Sequence, residues 1–363
     1  MKTGEVIQKC AFLIELTGTD ASTHAKKASN FLDYSNAVRD AVLSLDKKQR
    51  EKIPWLVDFS KSLRKLRDTY ADEVAADPMS IYLPAHDVAL AFHKSIAFIR
   101  YFRGGNRISK TESGCADNYW TTTSQHPYRQ TCAVPASTFI VGSNFAQYGE
   151  AVFQKKYLTG EPGNPLSPVF PEGGKWLHHY NEKKHLITIA CPHCAEAGKA
   201  RQCAHPKSTI QLFSDREGPT VLAGGQYALG QFDEHIDEEF FTEAIKRLET
   251  VPFSSLMVTH TPLEGKGAWE HMRLTRTFDE GAPKNLVPGT TRPYVSLHTI
   301  DQISAGLSSP ELVLASLAVM SPAEAEARVY GKPAAFSSTG VFDSWTLSEM
   351  YDQVKAPLRG NLF

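Results

Sequence analysis

A single turn narrows the folding options of this chain more than any other feature. An apolar run over residues 96–102 breaks into Arg103-Gly104-Gly105-Asn106-Arg107-Ile108-Ser109-Lys110-Thr111, and a helical pattern follows. A strand, a glycine turn and a helix in that order suit an α/β architecture, in which a crossover helix packs back onto a parallel sheet. Adjacent glycines let the backbone bend tightly and aim its N–H groups inward, while the helix N-terminus adds partial positive charge. Such a turn suits a polyphosphate. In that setting Gly104, Gly105, Asn106, Arg107 and Ser109 form the cradle. Lys110 then contacts the β and γ phosphates, and the Thr111 hydroxyl binds Mg²⁺. Serine stands at 109 where the usual spacing has a glycine, so a positive φ there carries a cost. Taken alone, the segment also reads as an ordinary polar turn with a chance Lys-Thr pair.

A second stretch, Tyr227-Ala228-Leu229-Gly230-Gln231-Phe232-Asp233-Glu234, is a short strand ending in two acids. Adjacent side chains at a strand end point in different directions. Asp233 is therefore expected to hold Mg²⁺ through water, and Glu234 to act as base or orienter for an attacking water. The competing reading is a solvated acidic helix start, since Asp237, Glu238 and Glu239 follow. That reading explains the later acids better than it explains Asp233. A positive charge near the γ-phosphate is also expected, with Arg107 the first candidate in cis and Arg129 and Arg216 the loop candidates in trans.

A third element follows a helical pattern over residues 237–249: Ser254-Ser255-Leu256-Met257-Val258-Thr259-His260-Thr261-Pro262-Leu263, an apolar strand running into a proline-stiffened turn. The order of glycine turn, Asp-Glu strand, helix, strand and Thr-Pro-Leu resembles the large terminase subunit of tailed bacteriophages. Phe92-His93-Lys94-Ser95, residues 140–147 and residues 265–269 extend the resemblance, which spans roughly residues 80–358. It implies an ASCE-type P-loop ATPase that moves double-stranded DNA into a procapsid, with ATP and Mg²⁺ as cofactors. In that family the Thr-Pro-Leu segment couples loss of the γ-phosphate to DNA-gripping parts, which assigns Thr259 and Thr261 as sensors. The resemblance further implies a pentameric ring on the portal protein, a small terminase subunit as partner, and the cytoplasm of an infected cell as location. The linker-like residues 342–360 end just before Phe363, so the C-terminal nuclease is expected to be absent. A helicase-like P-loop motor and a zinc-stabilised, non-hydrolysing scaffold remain alternatives.

With 363 residues and 42% hydrophobic content the chain can bury a sizeable core. A formal net charge of −1 gives no global attraction to nucleic acid. No apolar run is long enough for a membrane span and residues 1–16 are too charged for a secretory signal, so a soluble, intracellular chain is expected. Apolar runs at 96–102, 137–142, 186–190, 209–213, 227–232 and 254–260 alternate with helical patterns, predicting a largely parallel sheet flanked by helices. The organisation expected is a helical segment over residues 1–80, an ATPase core over 81–300 and a helical lid or linker over 301–363, where Ser321-Pro322-Ala323-Glu324 forms a capping box. Residues 1–70 carry 13 Lys or Arg against 9 Asp or Glu, an excess suited to a DNA or portal contact, or simply to a solvated bundle. Finally, Cys191-Pro192-His193-Cys194 and Cys203-Ala204-His205 sit between two strand-like runs. Cys191, Cys194, Cys203 and His205 match the tetrahedral N/S set of structural Zn²⁺, with His193 a competing fourth ligand and free thiols the other reading.

Overall fold

The computed structural model describes residues 75–333, apart from short stretches at 83, 162–163, 165, 264–268, 271–273, 275–277, 280–281, 284–285, 288–290, 306 and 309. Residues 1–74 of the expected helical segment, the linker-like residues 342–360 and residues 265–268 lie outside the described residues.

Helix α1 (Asp87–Lys94) leads into strand β1 (Ile99–Gly104), and the glycine turn delivers the chain to α2 (Lys110–Thr123). Strand β2 (Ser137–Gly142) is followed by a π-helical segment, Phe145–Thr159. The hairpin of β3 (Leu177–Asn181) and β4 (Leu186–Ile189) precedes the short α3 (Pro192–Glu196) and then β5 (Ser208–Ser214). Strand β6 (Leu229–Asp233), helix α4 (Glu238–Leu248) and β7 (Ser255–His260) come next. Two-residue strands β8 (Phe278–Asp279) and β9 (Ala282–Pro283) make a separate small hairpin before β10 (Val295–Ile300). The described chain ends with α5 (Gln302–Ala305), α6 (Pro310–Val319) and α7 (Pro322–Arg328).

Eight strands form one sheet in the order β10-β1-β7-β6-β2-β5-β4-β3. The pairings from β10 to β5 are all parallel, whereas β4 and β3 add antiparallel. Strand β7 lies between the glycine-turn strand β1 and the acidic strand β6. That extra strand is the mark of the ASCE type of P-loop fold, and it brings the carboxyl ends of β1, β7 and β6 to one edge of the sheet, where ligands of open α/β sheets bind.

The period-two alternation of each strand divides two apolar layers. Phe139, Val141, Phe232 and Val258 face Phe240, Phe241, Ala244 and Leu248 of α4. Ile140, Ile210 and Leu212 face Cys115, Ala116 and Tyr119 of α2 on the other side. Two strands depart from the sequence pattern. Residues 177–181 and 295–300 are not among the apolar runs, yet β3 pairs with β4 and β10 pairs with β1 along its full length, Ile99 opposite Val295 through Gly104 opposite Ile300. Strand β10 is an edge strand with polar Ser296 and His298 half-exposed, and β3 caps the other edge with polar His178 and His179. Neither gives the apolar run by which buried parallel strands are recognised.

One carboxylate ties α1, α2 and β1 together inside the protein. Asp117 of α2 is fully buried, with Arg100 Nη1 at 2.6 Å, His126 Nε2 at 2.7 Å, His93 Nδ1 at 3.4 Å and Arg129 Nη2 at 3.5 Å. Arg129 is thereby removed from the candidates for a trans-acting charge: its side chain is only 4% exposed and engaged with Asp117. Burial raises the Asp117 carboxyl, but Arg100, the hydrogen bond from His126 and the adjacent His93 outweigh it and hold it well below its ordinary value. A depressed folded-state pKa adds stability above the unfolded value, and that stability is lost as pH falls through the folded value. Asp117→Ala leaves buried guanidinium groups without their counter-ion and is expected to cost about 3–5 kcal/mol. Urea unfolding at neutral pH measures this, and the gap between wild type and variant should close as the solution is acidified below the carboxylate range.

Candidate functional site

The glycine turn leaves β1 at Gly104 and is anchored by Ile108, which is buried against Phe92 and Phe102. Arg107 (φ 55°) and Ser109 (φ 64°, ψ 19°) are left-handed, so the expected cost at Ser109 falls on a residue that does carry a Cβ. Lys110 is buried and donates from Nζ to the carbonyls of Gly104 (3.2 Å) and Gly105 (2.7 Å), which places its ammonium inside the turn. Burial lowers its pKa, offset in part by the nearby charges of Glu234 and Asp233. The ammonium and the two carboxylates from the distant strand thus share one electrostatic site.

Asp233, at the end of β6, is the hub of that site. Its carboxylate is 4% exposed and accepts from Thr259 Oγ1 (2.6 Å), Tyr148 Oη (2.8 Å) and, more loosely, Thr111 Oγ1 (3.3 Å). The parallel register sets Asp233 opposite Thr259 and so brings the hydroxyl of β7 to it. Burial and the neighbouring Glu234 raise the Asp233 pKa, while the Thr259 and Tyr148 hydrogen bonds and Lys110 lower it. The adjacent hydroxyl of Thr111 and carboxylate of Asp233 are the hard oxygen donors that Mg²⁺ takes, so these residues fit the expected ion. Tyr148 carries no comparable signal in the sequence. It arrives from the π-helical segment, and its ring packs where a Cβ on Gly142 would sit 2.3 Å from it, so the glycine ending β2 is what admits it.

Glu234 adopts φ 72°, an uncommon conformation for a non-glycine residue and one often held at functional sites. Three bonds to β7 and the following turn keep it there. Its N–H donates to the Thr259 carbonyl at 2.7 Å, and its carboxylate accepts from the Thr261 N–H (2.7 Å) and Thr261 Oγ1 (2.9 Å). Thr259 and Thr261 therefore divide the two acids, one hydroxyl to each. Both threonines are buried, whereas the Glu234 side chain is exposed.

The segment after α7 seats on the glycine turn. Asn106 donates its N–H to the Arg328 carbonyl (2.6 Å), and a Cβ on Gly105 would lie 2.5 Å from the Val329 carbonyl oxygen. Asn106 N–H thus serves a protein carbonyl, unlike its expected use in the cradle. The helix behind this contact is closed by the expected capping box, Ser321 Oγ accepting from Glu324 N–H (3.3 Å) and Glu324 Oε2 from Ser321 N–H (3.2 Å). Arg107 and Arg216 are both exposed.

The cysteine cluster lies apart, between antiparallel β4 and β5. Cys191 Sγ and Cys194 Sγ each lie 3.3 Å from His205 Nδ1, and Cys203 Sγ lies 3.7 Å from Cys191 Sγ. Tetrahedral Zn²⁺ sets neighbouring sulfurs about 3.8 Å apart and sulfur and nitrogen about 3.6 Å apart, so the four residues fit such an ion. Of the two histidines weighed, His205 is the one that converges with the three sulfurs.

No protein-family model and no curated protein matches the chain. Among solved structures it is similar to the large terminase ATPase domain of Thermus phage P74-26, at 16% identity and a TM-score of 0.48, over 70% of this chain and 95% of that one. It is also similar to the large terminase of a second, thermophilic bacteriophage, at 13% identity and a TM-score of 0.47, over 70% of this chain and 52% of that one. That second terminase in complex with ADP aligns at 13% identity and a TM-score of 0.43, over 67% of this chain and 52% of that one. These likenesses are remote, and what the site can do follows from its own residues.

Ser109→Gly removes the left-handed penalty without disturbing a neighbour. It is expected to stabilise the protein by about 0.5–1 kcal/mol, read as a rise of about 1 °C in melting temperature for a chain of this length.

Proposed function

We propose that this chain is the ATPase motor of a viral DNA-packaging terminase, hydrolysing ATP with Mg²⁺ to drive double-stranded DNA into a procapsid. The observation that carries the reading is the division of labour at the ends of β6 and β7: Asp233 tied to Thr111 and Thr259, Glu234 tied to Thr261. In this reading the turn of Gly104, Gly105, Asn106, Arg107 and Ser109 receives the triphosphate, and Lys110 exchanges the carbonyls of Gly104 and Gly105 for phosphate oxygens. Thr111 and Asp233 hold Mg²⁺, whose charge neutralises the phosphates. Glu234, exposed and aimed by Thr261, orients the attacking water and accepts its proton. Arg107 is the candidate charge in cis, and Arg216 the surviving candidate in trans.

Coupling follows from the same bonds. Any movement of the Glu234 carboxylate on loss of the γ-phosphate changes its two bonds to Thr261, the residue before Pro262 and the start of the Thr-Pro-Leu segment. Thr259 reports the Asp233 side in parallel. The contact of residues 328–331 with the glycine turn makes that segment a lid, which moves when Asn106 N–H is needed by ligand. Double-stranded DNA, the portal protein and a small terminase subunit are the partners this reading requires, in a ring of five copies in the cytoplasm of an infected cell. Among the described residues no helix is long and apolar enough to cross a membrane.

Structural Zn²⁺ at Cys191, Cys194, Cys203 and His205 completes the proposal. It would pin a polar hairpin tip in which only a few small residues pack together.

Steady-state phosphate release and nucleotide binding test the motor. Lys110→Ala is expected to weaken MgATP binding by about tenfold or more through loss of a charged hydrogen-bond donor. Glu234→Gln should keep binding and lose about 10²–10⁴-fold in turnover. Equal backgrounds for wild type and both variants would identify a non-hydrolysing scaffold, and normal turnover by Glu234→Gln would remove its role as base. DNA that stimulates hydrolysis without strand separation separates a packaging motor from a helicase.

Removal of tightly bound metal with a strong chelator, followed by restoration of Mg²⁺, is expected to lower the melting temperature of wild type by more than that of Cys194→Ser, and to leave MgATP affinity unchanged in both. Calorimetry checks the first part and equilibrium binding the second.

A further inference from the structure

Behind Glu234, on the α4 face of the sheet, lies a second cluster of ligand-type side chains that the phosphate chemistry does not use. His235 follows Glu234, His260 ends β7 between Thr259 and Thr261, and Glu270 stands on a helical turn shortly after the Thr-Pro-Leu segment. One donor atom from each lies within 4.8 Å of the other two. His260 and Glu270 are buried, and His235 keeps the cluster open to solvent with 38% of its side chain exposed.

The geometry of the pair His235–Glu270 is informative. His235 Nδ1 sits 2.8 Å from Glu270 Oε1, yet neither oxygen of this buried carboxylate receives a hydrogen bond. A nitrogen and a carboxylate oxygen that approach this closely without a hydrogen bond into the carboxylate can direct their lone pairs toward a common third point. Donors bound to one ion at about 2.0–2.2 Å, with right to tetrahedral angles between them, lie about 2.8–3.6 Å apart. The observed separation falls at the lower edge of that span. A buried carboxylate without hydrogen bonds is costly, and a bound cation removes the cost.

The surroundings orient the ligands in the manner of a metal centre. Tyr101 Oη lies 3.0 Å from His260 Nδ1 and sets the plane of that ring. Trp269 Nε1 donates to the Ile236 carbonyl at 2.7 Å, and its ring packs on Phe241 of α4, which holds the Glu270 turn against the loop after Glu234. Two imidazoles and one carboxylate with a side open to solvent suit Zn²⁺ and its neighbours in the first transition row. They suit Mg²⁺ poorly, since it prefers oxygen throughout.

We propose that His235, His260 and Glu270 form a divalent transition-metal site of the zinc class, distinct from both the cysteine cluster and the Mg²⁺ position at Asp233. An ion there joins the residue after Glu234, the residue before Thr261 and the turn beyond Leu263. It therefore clamps the arrangement in which Glu234 is bonded to Thr261.

Titration of the full, metal-stripped and nucleotide-free chain with Co²⁺ tests this, because thiolate ligands give an intense charge-transfer band that nitrogen and oxygen ligands lack. The expected result is one equivalent with ligand-field bands alone, whether or not a thiolate band marks a second. Glu270→Gln and His235→Ala should each weaken that equivalent at least about tenfold, and Cys194→Ser should leave it intact. Thermal melts confirm that each variant is folded, and Glu270→Gln preserves shape if His235→Ala does not fold. Retention of the nitrogen and oxygen equivalent by both variants overturns the proposal, as does a wild type whose only bound Co²⁺ disappears with Cys194→Ser. This readout is independent of hydrolysis, so a chain that binds Co²⁺ here yet releases no phosphate would refute the motor while leaving the metal site standing.

Discussion

The Asp233 carboxylate is the point where the separate parts of this protein are joined. It takes hydrogen bonds from Thr111 at the start of α2, Tyr148 of the π-helical segment and Thr259 of β7, while itself ending β6. A buried carboxylate must be satisfied by hydrogen bonds or by a cation, and three hydroxyls from three elements meet that demand. The same demand aligns the carboxyl ends of β6 and β7 with the helix that begins at Lys110. Strand order already brings the glycine turn and the acidic strand to one edge of the sheet, and the bonds to Asp233 fix the side chains that meet there.

Two left-handed residues lie beside this hub, Ser109 in the turn and Glu234 after the strand. Each costs backbone energy that glycine would avoid. At Glu234 the reason is visible: the reversed turn swings the carboxylate away from Asp233 toward Thr261, so that two adjacent acids serve different partners. At Ser109 the structure offers no compensating bond for the hydroxyl, whose oxygen is buried without a hydrogen-bond partner. The strained residue at 234 is held by bonds it makes, and the strained residue at 109 by the anchoring of its neighbour Ile108 in the core.

Around the hub, the molecule offers two kinds of soft connection. Residues 328–331 rest on the glycine turn through a single N–H and close backbone approach, a contact that can be broken without disturbing the sheet. The Glu234–Thr261 pair is the other, and it lies between the glycine turn and the cluster of His235, His260 and Glu270.

Local sequence is enough to identify the strand-turn-helix around Gly104 and Gly105, the acids at the end of β6, the Thr-Pro-Leu turn after β7, the capping box at Ser321 and the cysteine hairpin. Each of these depends on chemistry carried within a few neighbouring residues: glycine conformations, a cap, or metal-ligand spacing. The edge strands β3 and β10 are not legible in this way, because half-exposed strands mix polar residues into the pattern and are defined by the neighbour they pair with. Tyr148, the Glu234 bonds to Thr261, the burial of Arg129 on Asp117 and the approach of Glu270 to His235 join residues far apart in the chain. Nothing in local composition encodes such meetings. They are set by strand order and register, which depend on how all the apolar faces are buried together, and so they arise only once the whole chain has folded.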